Sequence, residues 1–160
     1  MSLDLNYKPE VLVSTENMSE EEWLKYRTKG IGGSDAAVVM RMSPYKTARD
    51  LYFEKTGRKP DVVTNDLWVQ CEVGHRLEEL VAMIFQKKTG FKVWQEKKMF
   101  RHPKYRFMIA DVDYFAQSPS GEKCILECKT AGYNSNEKWD DGGIPYHYEI
   151  QVRHYMAVNN

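Results

Sequence analysis

An α+β domain is what this 160-residue sequence predicts, on three observations. Helix start and stop signals crowd its first half, strand-type segments joined by a turn sequence follow from 91 to 130, and a helical pattern closes the chain. With 42% hydrophobic and 12% aromatic residues, the chain can bury ~68–70% of its unfolded surface, which excludes a disordered or collagen-like protein.

Each element has a local cause. Ser19 and Glu22 form a capping box for a helix running to about Thr28, with Gly30 as its stop. Ser34 can cap a short helix through about Met42, and Thr47 with Asp50 opens another that ends at Gly57. From Asn65 to Thr89, Leu67, Leu77, Leu80, Val81, Ile84 and Phe85 recur at three- and four-residue steps, a long amphipathic helix closed by Gly90 and expected to pack on a sheet. That sheet is read from Phe91 to Phe100, Phe107 to Gln117 and Glu122 to Thr130, the last two joined as a hairpin by Ser118-Pro119-Ser120-Gly121. After a polar stretch rich in Gly and Asn, Tyr146 to Val158 reads as a helix with Pro145 in its first turn. Residues 1–18 stand before the first cap as an N-terminal extension, and residues 19–160 form one domain.

Charge and cysteine content narrow the function classes. Lys plus Arg and Asp plus Glu both total 23, so a protein that coats nucleic acid by bulk charge is excluded and any such contact is locally organised. No apolar run approaches the ~20 residues of a membrane span, and the first six residues lack a signal peptide's basic and apolar regions, so a cytoplasmic protein without membrane contact is expected. Cys71, Cys124 and Cys128 are too few and irregular for a disulfide framework.

The chemistry concentrates in Ile125-Leu126-Glu127-Cys128-Lys129. On a strand Glu127 and Lys129 share a face, about 7 Å apart. Folding the hairpin brings Asp113 nearly opposite Glu127, within one residue of register. Two carboxylates and a lysine then converge, oxygen ligands suited to Mg²⁺ or Mn²⁺ with the lysine beside an attacking water. A cross-strand ion pair on a solvated face is the plainer alternative, and Asp111, on the same face, competes with Asp113.

The residues resemble the YqaJ-like viral recombinase nucleases, relatives of phage lambda exonuclease in the PD-(D/E)XK superfamily. Five stretches carry the likeness in order: Arg27 with Gly30-Ile31-Gly32-Gly33-Ser34-Asp35 and Ser43-Pro44-Tyr45; Gly74-His75-Arg76-Leu77-Glu78; Ala110-Asp111-Val112-Asp113; Glu127-Cys128-Lys129; and Gln151-Val152-Arg153-His154-Tyr155-Met156. Met40-Arg41-Met42 and Arg153 depart from the family pattern without touching a ligand position. The resemblance implies a restriction-endonuclease-like core, a mixed sheet with an antiparallel hairpin flanked by helices. It also implies a domain cut short at its C-terminus, because the family usually continues beyond the final helix.

The activity so implied is metal-dependent exonucleolytic cleavage at duplex DNA ends, 5′ to 3′, in phage-type recombination, with a single-strand annealing protein and a homotrimer as partners. Within that likeness Asp113 is the metal aspartate, held with Glu127 and the Cys128 backbone carbonyl around Mg²⁺ or Mn²⁺, with Glu78 as a further ligand through water. Lys129 activates or orients the water, and Gln151 positions the nucleophile or a carboxylate. Gly33, Ser34 and Arg27 take a 5′-phosphate, since free helix amides and a guanidinium fork suit an anion. Two rivals stand beside it, a non-catalytic DNA-end-binding module and an endonuclease of the same superfamily. Eight Lys/Arg between Lys87 and Arg106, with Trp94, Phe100 and Tyr105, can track DNA or form a solvated basic edge strand. Cys124 and Cys128 are expected in the core, and the four histidines show no zinc-ligand grouping.

Overall fold

The structure is a computed structural model that describes residues 6–58, 65–131, 139 and 142–160, without the side chains of 65–67. The Gly- and Asn-rich stretch after Thr130 and the Leu67 side chain lie largely or wholly outside the described residues. The chain divides into two compact units, Met1–Pro60 with Lys97–Asp111 and Ile144–Asn160, and Asp61–Glu96 with Val112–Gly143. Among the described residues no helix is long and apolar enough to cross a membrane.

The first unit is built on an antiparallel sheet of β1 (Glu10–Ser14), β3 (Lys98–Arg101) and β4 (Ile109–Asp111), with β3 in the middle. β1 comes from the segment read as an N-terminal extension, where acidic neighbours masked the apolar Val11-Leu12-Val13. Its helices are α1 (Glu20–Arg27), α2 (Gly33–Val39), α3 (Ala48–Lys55) and α5 (Tyr146–Asn159). The capping boxes at Ser19/Glu22 and Thr47/Asp50 form as expected, and Gly57 takes φ +66° past the end of α3. Ser34 does not cap α2: Gly32 is the N-cap, and the Asp35 carboxylate accepts the Gly32 N–H at 2.9 Å. Pro145 is likewise the N-cap of α5 rather than its first residue. The core gathers Val38, Met99, Ile109, Ala110 and Val158, all essentially inaccessible.

The second unit pairs β2 (Lys92–Trp94), β5 (Tyr114–Gln117) and β6 (Lys123–Leu126) antiparallel, with β5 central, beside the long helix α4 (Asn65–Thr89). Gly90, at φ +73°, ends α4 as expected. Each of the first two long strands read from sequence is thus two short ones, because its halves pair in different sheets; the third stops at Leu126. The buried stripe of α4 also differs from the expected one. Gly74, Glu78, Val81, Ala82 and Phe85 are covered or half-covered, whereas Leu77, Leu80 and Ile84 are exposed. Both stripes have helical spacing, so periodicity alone cannot choose between them.

Gly33 sets how closely α2 approaches α5. A Cβ there would stand 2.4 Å from the Tyr155 ring and 2.9 Å from Gln151 Cγ. Gly33→Ala is therefore expected to destabilise the protein by about 1–3 kcal/mol through overpacking, read as a lower urea midpoint. Gly57→Ala has open space around it and should cost only the left-handed backbone strain, about 1–2 kcal/mol.

Candidate active site

The β5–β6 hairpin turns at Ser118 to Gly121, with Gly121 at φ +95° and its N–H donating to the Ser118 carbonyl. Its register pairs Tyr114 with Leu126, so the next position along places Asp113 against Glu127, as the sequence suggested. There the ladder gives way to a side-chain bond, in which Asp113 Oδ2 accepts the Cys128 N–H at 2.9 Å. Lys129 Nζ lies 2.6 Å from Glu127 Oε1, closing a cluster at the open end of the hairpin. The shared-face prediction for Glu127 and Lys129 is met as a direct ion pair, although both stand just beyond β6.

The Glu127 side chain is only 5% exposed, and its carboxyl is pushed up from 4.5 to about 7. Burial is the main cause, the Asp113 charge adds to it, and the attraction of Lys129 is too weak to offset both. Glu78 on α4 raises it further. Gly74, one turn before Glu78 on the same face, has Thr130 Oγ1 3.4 Å from where its Cβ would stand, so the helix runs close to the segment after Lys129. The Cys128 thiol is driven up to about 12, again by burial first and Asp113 second, so its sulfur is no nucleophile or ligand at neutral pH.

Repelling carboxylates in a buried setting are what a divalent cation neutralises, and the donors are hard oxygens that suit Mg²⁺ or Mn²⁺ rather than zinc. Among the described residues no three His, Cys, Asp or Glu side chains gather into a complete metal site. Asp113 and Glu127 could therefore hold such an ion only with backbone or water oxygens completing the shell, a fit that leaves open positions for a phosphate.

The first unit carries the other sequence-selected group. Arg27 Nη2 donates to Ser34 Oγ at 3.1 Å and to the Asp35 carboxylate at 3.3 and 3.4 Å. Lys55 Nζ reaches Asp35 Oδ2 at 2.7 Å and the Arg27 carbonyl at 2.7 Å. Burial alone would push the Asp35 carboxyl up, yet Arg27 and Lys55 together hold it below the usual carboxylate range. Arg27 also lies over the Trp23 ring at 5.0 Å, and the Trp23 indole N–H donates to Asp111. Asp111, the rival of Asp113, is thus tied to α1, and burial raises its carboxyl despite that bond. Asp35 stood in the Gly30–Asp35 motif without a role of its own, and Lys55 was not singled out by sequence. An acidic residue three places after Gly32 was the missed signal for Asp35, while nothing local pairs it with Lys55.

Other candidates have different surroundings. Gln151 is buried on α5, where its amide donates to Tyr155 Oη at 3.2 Å. Gly33 is buried as well and serves the α2–α5 packing. The basic stretch divides: β2, with Lys92 exposed, is an edge strand of its sheet, whereas β3 lies between β1 and β4, and Arg101 and Arg106 both pair with Glu10. Phe100 is buried and Trp94 stacks on Phe115, which leaves Tyr105 as the exposed ring of the three. Cys124 is exposed rather than in the core, because β6 is an edge strand, whereas Cys128 is buried.

The Glu127 environment gives a pH dependence. The folded carboxyl binds its proton more tightly than the unfolded one, so its contribution is complete below pH 4.5 and lost as pH rises through about 7. Metal-free protein should therefore lose on the order of 3 kcal/mol of stability across that window in urea titrations. Glu127→Gln should flatten the profile.

Comparison with known proteins identifies the family and the fold. The chain is 41% identical over 151 residues to the uncharacterized protein YqaJ of Bacillus subtilis (strain 168), covering 94% of this chain and spanning 46% of that relative's length. The crystal structure of LHK-Exo in complex with dAMP shares its fold at a TM-score of 0.60 and 19% identity, over 86% of this chain and 68% of LHK-Exo. The YqaJ-like viral recombinase domain matches residues 22–160. The chain belongs to the YqaJ-like viral recombinase family.

Proposed function

We propose that this chain is a Mg²⁺- or Mn²⁺-dependent exonuclease domain that hydrolyses phosphodiesters from the 5′ ends of duplex DNA. The observation that carries the reading is the Asp113 carboxylate bonded into the Glu127-Cys128-Lys129 run, with Glu127 raised to about 7 by burial and by the Asp113 charge. Family membership supports it, as does the shared fold with LHK-Exo, whose structure holds dAMP, a deoxynucleoside monophosphate.

Asp113, Glu127 and the Cys128 carbonyl would hold the ion, with Glu78 acting through water. A divalent ion there lowers the cost of forming hydroxide and screens the phosphate's negative charge. Lys129 keeps one ammonium proton on Glu127 and directs others at the attacking water and a non-bridging phosphate oxygen. Water attacks phosphorus in line, the P–O3′ bond breaks, and the leaving 3′-oxygen takes up a proton. Arg27 and Ser34, already within hydrogen-bond distance of each other, would grip the terminal 5′-phosphate and select ends.

Incubation with 5′-phosphorylated linear duplex and with covalently closed circular DNA tests this directly. Metal-dependent loss of the linear substrate alone is expected, with Lys129→Ala and Asp113→Ala slower by about 10²–10⁴-fold or more. Cleavage of the circle would establish an endonuclease, and undiminished activity of Asp113→Ala would remove the metal-site assignment. Saturating Mg²⁺ is also expected to raise Tm by the equivalent of roughly 2–3 kcal/mol in the parent, and not in Glu127→Gln.

A further inference from the structure

We propose that Asp35 is the positioning residue of the end-phosphate pocket, holding Arg27 in place through a closed ring of charge that Lys55 completes. The proposal rests on the reading of Arg27 and Ser34 as the phosphate grip.

The ring is visible bond by bond. Arg27 Nη2 donates to both Asp35 oxygens, Asp35 Oδ2 takes Lys55 Nζ at 2.7 Å, and the same ammonium returns to the Arg27 main-chain carbonyl at 2.7 Å. Arg27 is thereby fixed at its side chain and at its backbone, from α2 and from the end of α3. The Asp35 side chain is 1% exposed, Lys55 12% and Arg27 20%, so the anion is sealed while the guanidinium keeps a face to solvent. Only Nη2 of Arg27 is drawn into the ring. Its Nε is buried and has no hydrogen-bond partner among the described residues, and Arg27 lines a water-sized cavity with Gly32, Gly33, Met99, Ile109, Asp111 and Tyr155.

Arg27 keeps the exposed part of its guanidinium for an incoming phosphate. Its usefulness depends on orientation, because a guanidinium binds phosphate well only when its planar fork is already set. With Asp35 in place the three charged groups sum to one positive charge, with Ser34 bonded to Arg27. Without it, two neighbouring cations repel, and the long side chains regain rotamer freedom that binding must freeze again. Asp35 also caps α2 through the Gly32 N–H, a role that an asparagine oxygen can keep.

Asp35→Asn thus separates the two duties. Steady-state cleavage of matched duplexes with 5′-phosphoryl and 5′-hydroxyl ends would be compared for the parent, Asp35→Asn, Asp35→Glu, Lys55→Met and Arg27→Ala, with a thermal melt for each. Asp35→Asn is expected to lose about tenfold or more of the phosphate preference, the scale of one charge-assisted hydrogen bond, through KM and not kcat. Asp35→Glu should recover part of it, and Lys55→Met should lose part of it. A folded Asp35→Asn that keeps the parental preference, while Arg27→Ala loses it, would reduce Asp35 to a helix cap and end the proposal. Should Asp35→Asn fail to fold, an unchanged preference in Lys55→Met would end it equally. Preference retained in Arg27→Ala would instead remove the phosphate-grip reading beneath it.

Discussion

A one-residue slip in the pairing of β5 with β6 would turn Glu127 to the other side of the hairpin and leave Asp113 facing nothing. Side chains on a strand alternate with period two, so the register Tyr114 to Leu126 is what makes a carboxylate pair at all. Two features pin it. The turn at Ser118 to Gly121 fixes where the hairpin reverses, and Ala116, fully buried opposite Cys124, has no room to shift. Everything proposed for the metal centre follows from that register, including the Asp113 bond to the Cys128 amide beyond the last ladder rung.

The molecule holds two clusters of buried charge that are balanced in opposite ways. Around Asp35 a single carboxylate meets two cations, and its ionised form is favoured. Around Glu127 one ammonium faces more than one carboxylate, and the ionised form is disfavoured. The first holds an excess of positive charge. The second is short of positive charge, and a buried group held away from its ordinary protonation state is where chemistry or a missing ligand is expected.

Where local signals decide, the sequence was legible. Ser19 with Glu22, Thr47 with Asp50, and glycines at 57 and 90 place three helices nearly to the residue, because caps and left-handed stops act within a few residues. The Gly32 cap was misassigned to Ser34, since both a serine and an aspartate stood ready and only one could serve. The strands fared worse at their ends. Lys92 to Trp94 and Lys98 to Arg101 look like one run, but they belong to different sheets, and pairing partners far along the chain decide where a strand stops.

By itself the sequence determined the class of the fold, the hairpin that opposes Asp113 to Glu127, and, through its ordered motifs, the family. These are matters of local propensity, period-two alternation and residue type at fixed spacing. Tertiary structure alone decided which stripe of α4 is covered, that β3 is central, that Arg101 and Arg106 are spent on Glu10, and that Asp35 binds Lys55 across twenty residues of chain. It also tied Asp111 to Trp23. The common reason is that burial and ion pairing depend on what packs against a residue, and that partner is set by long-range contacts which no window of sequence contains.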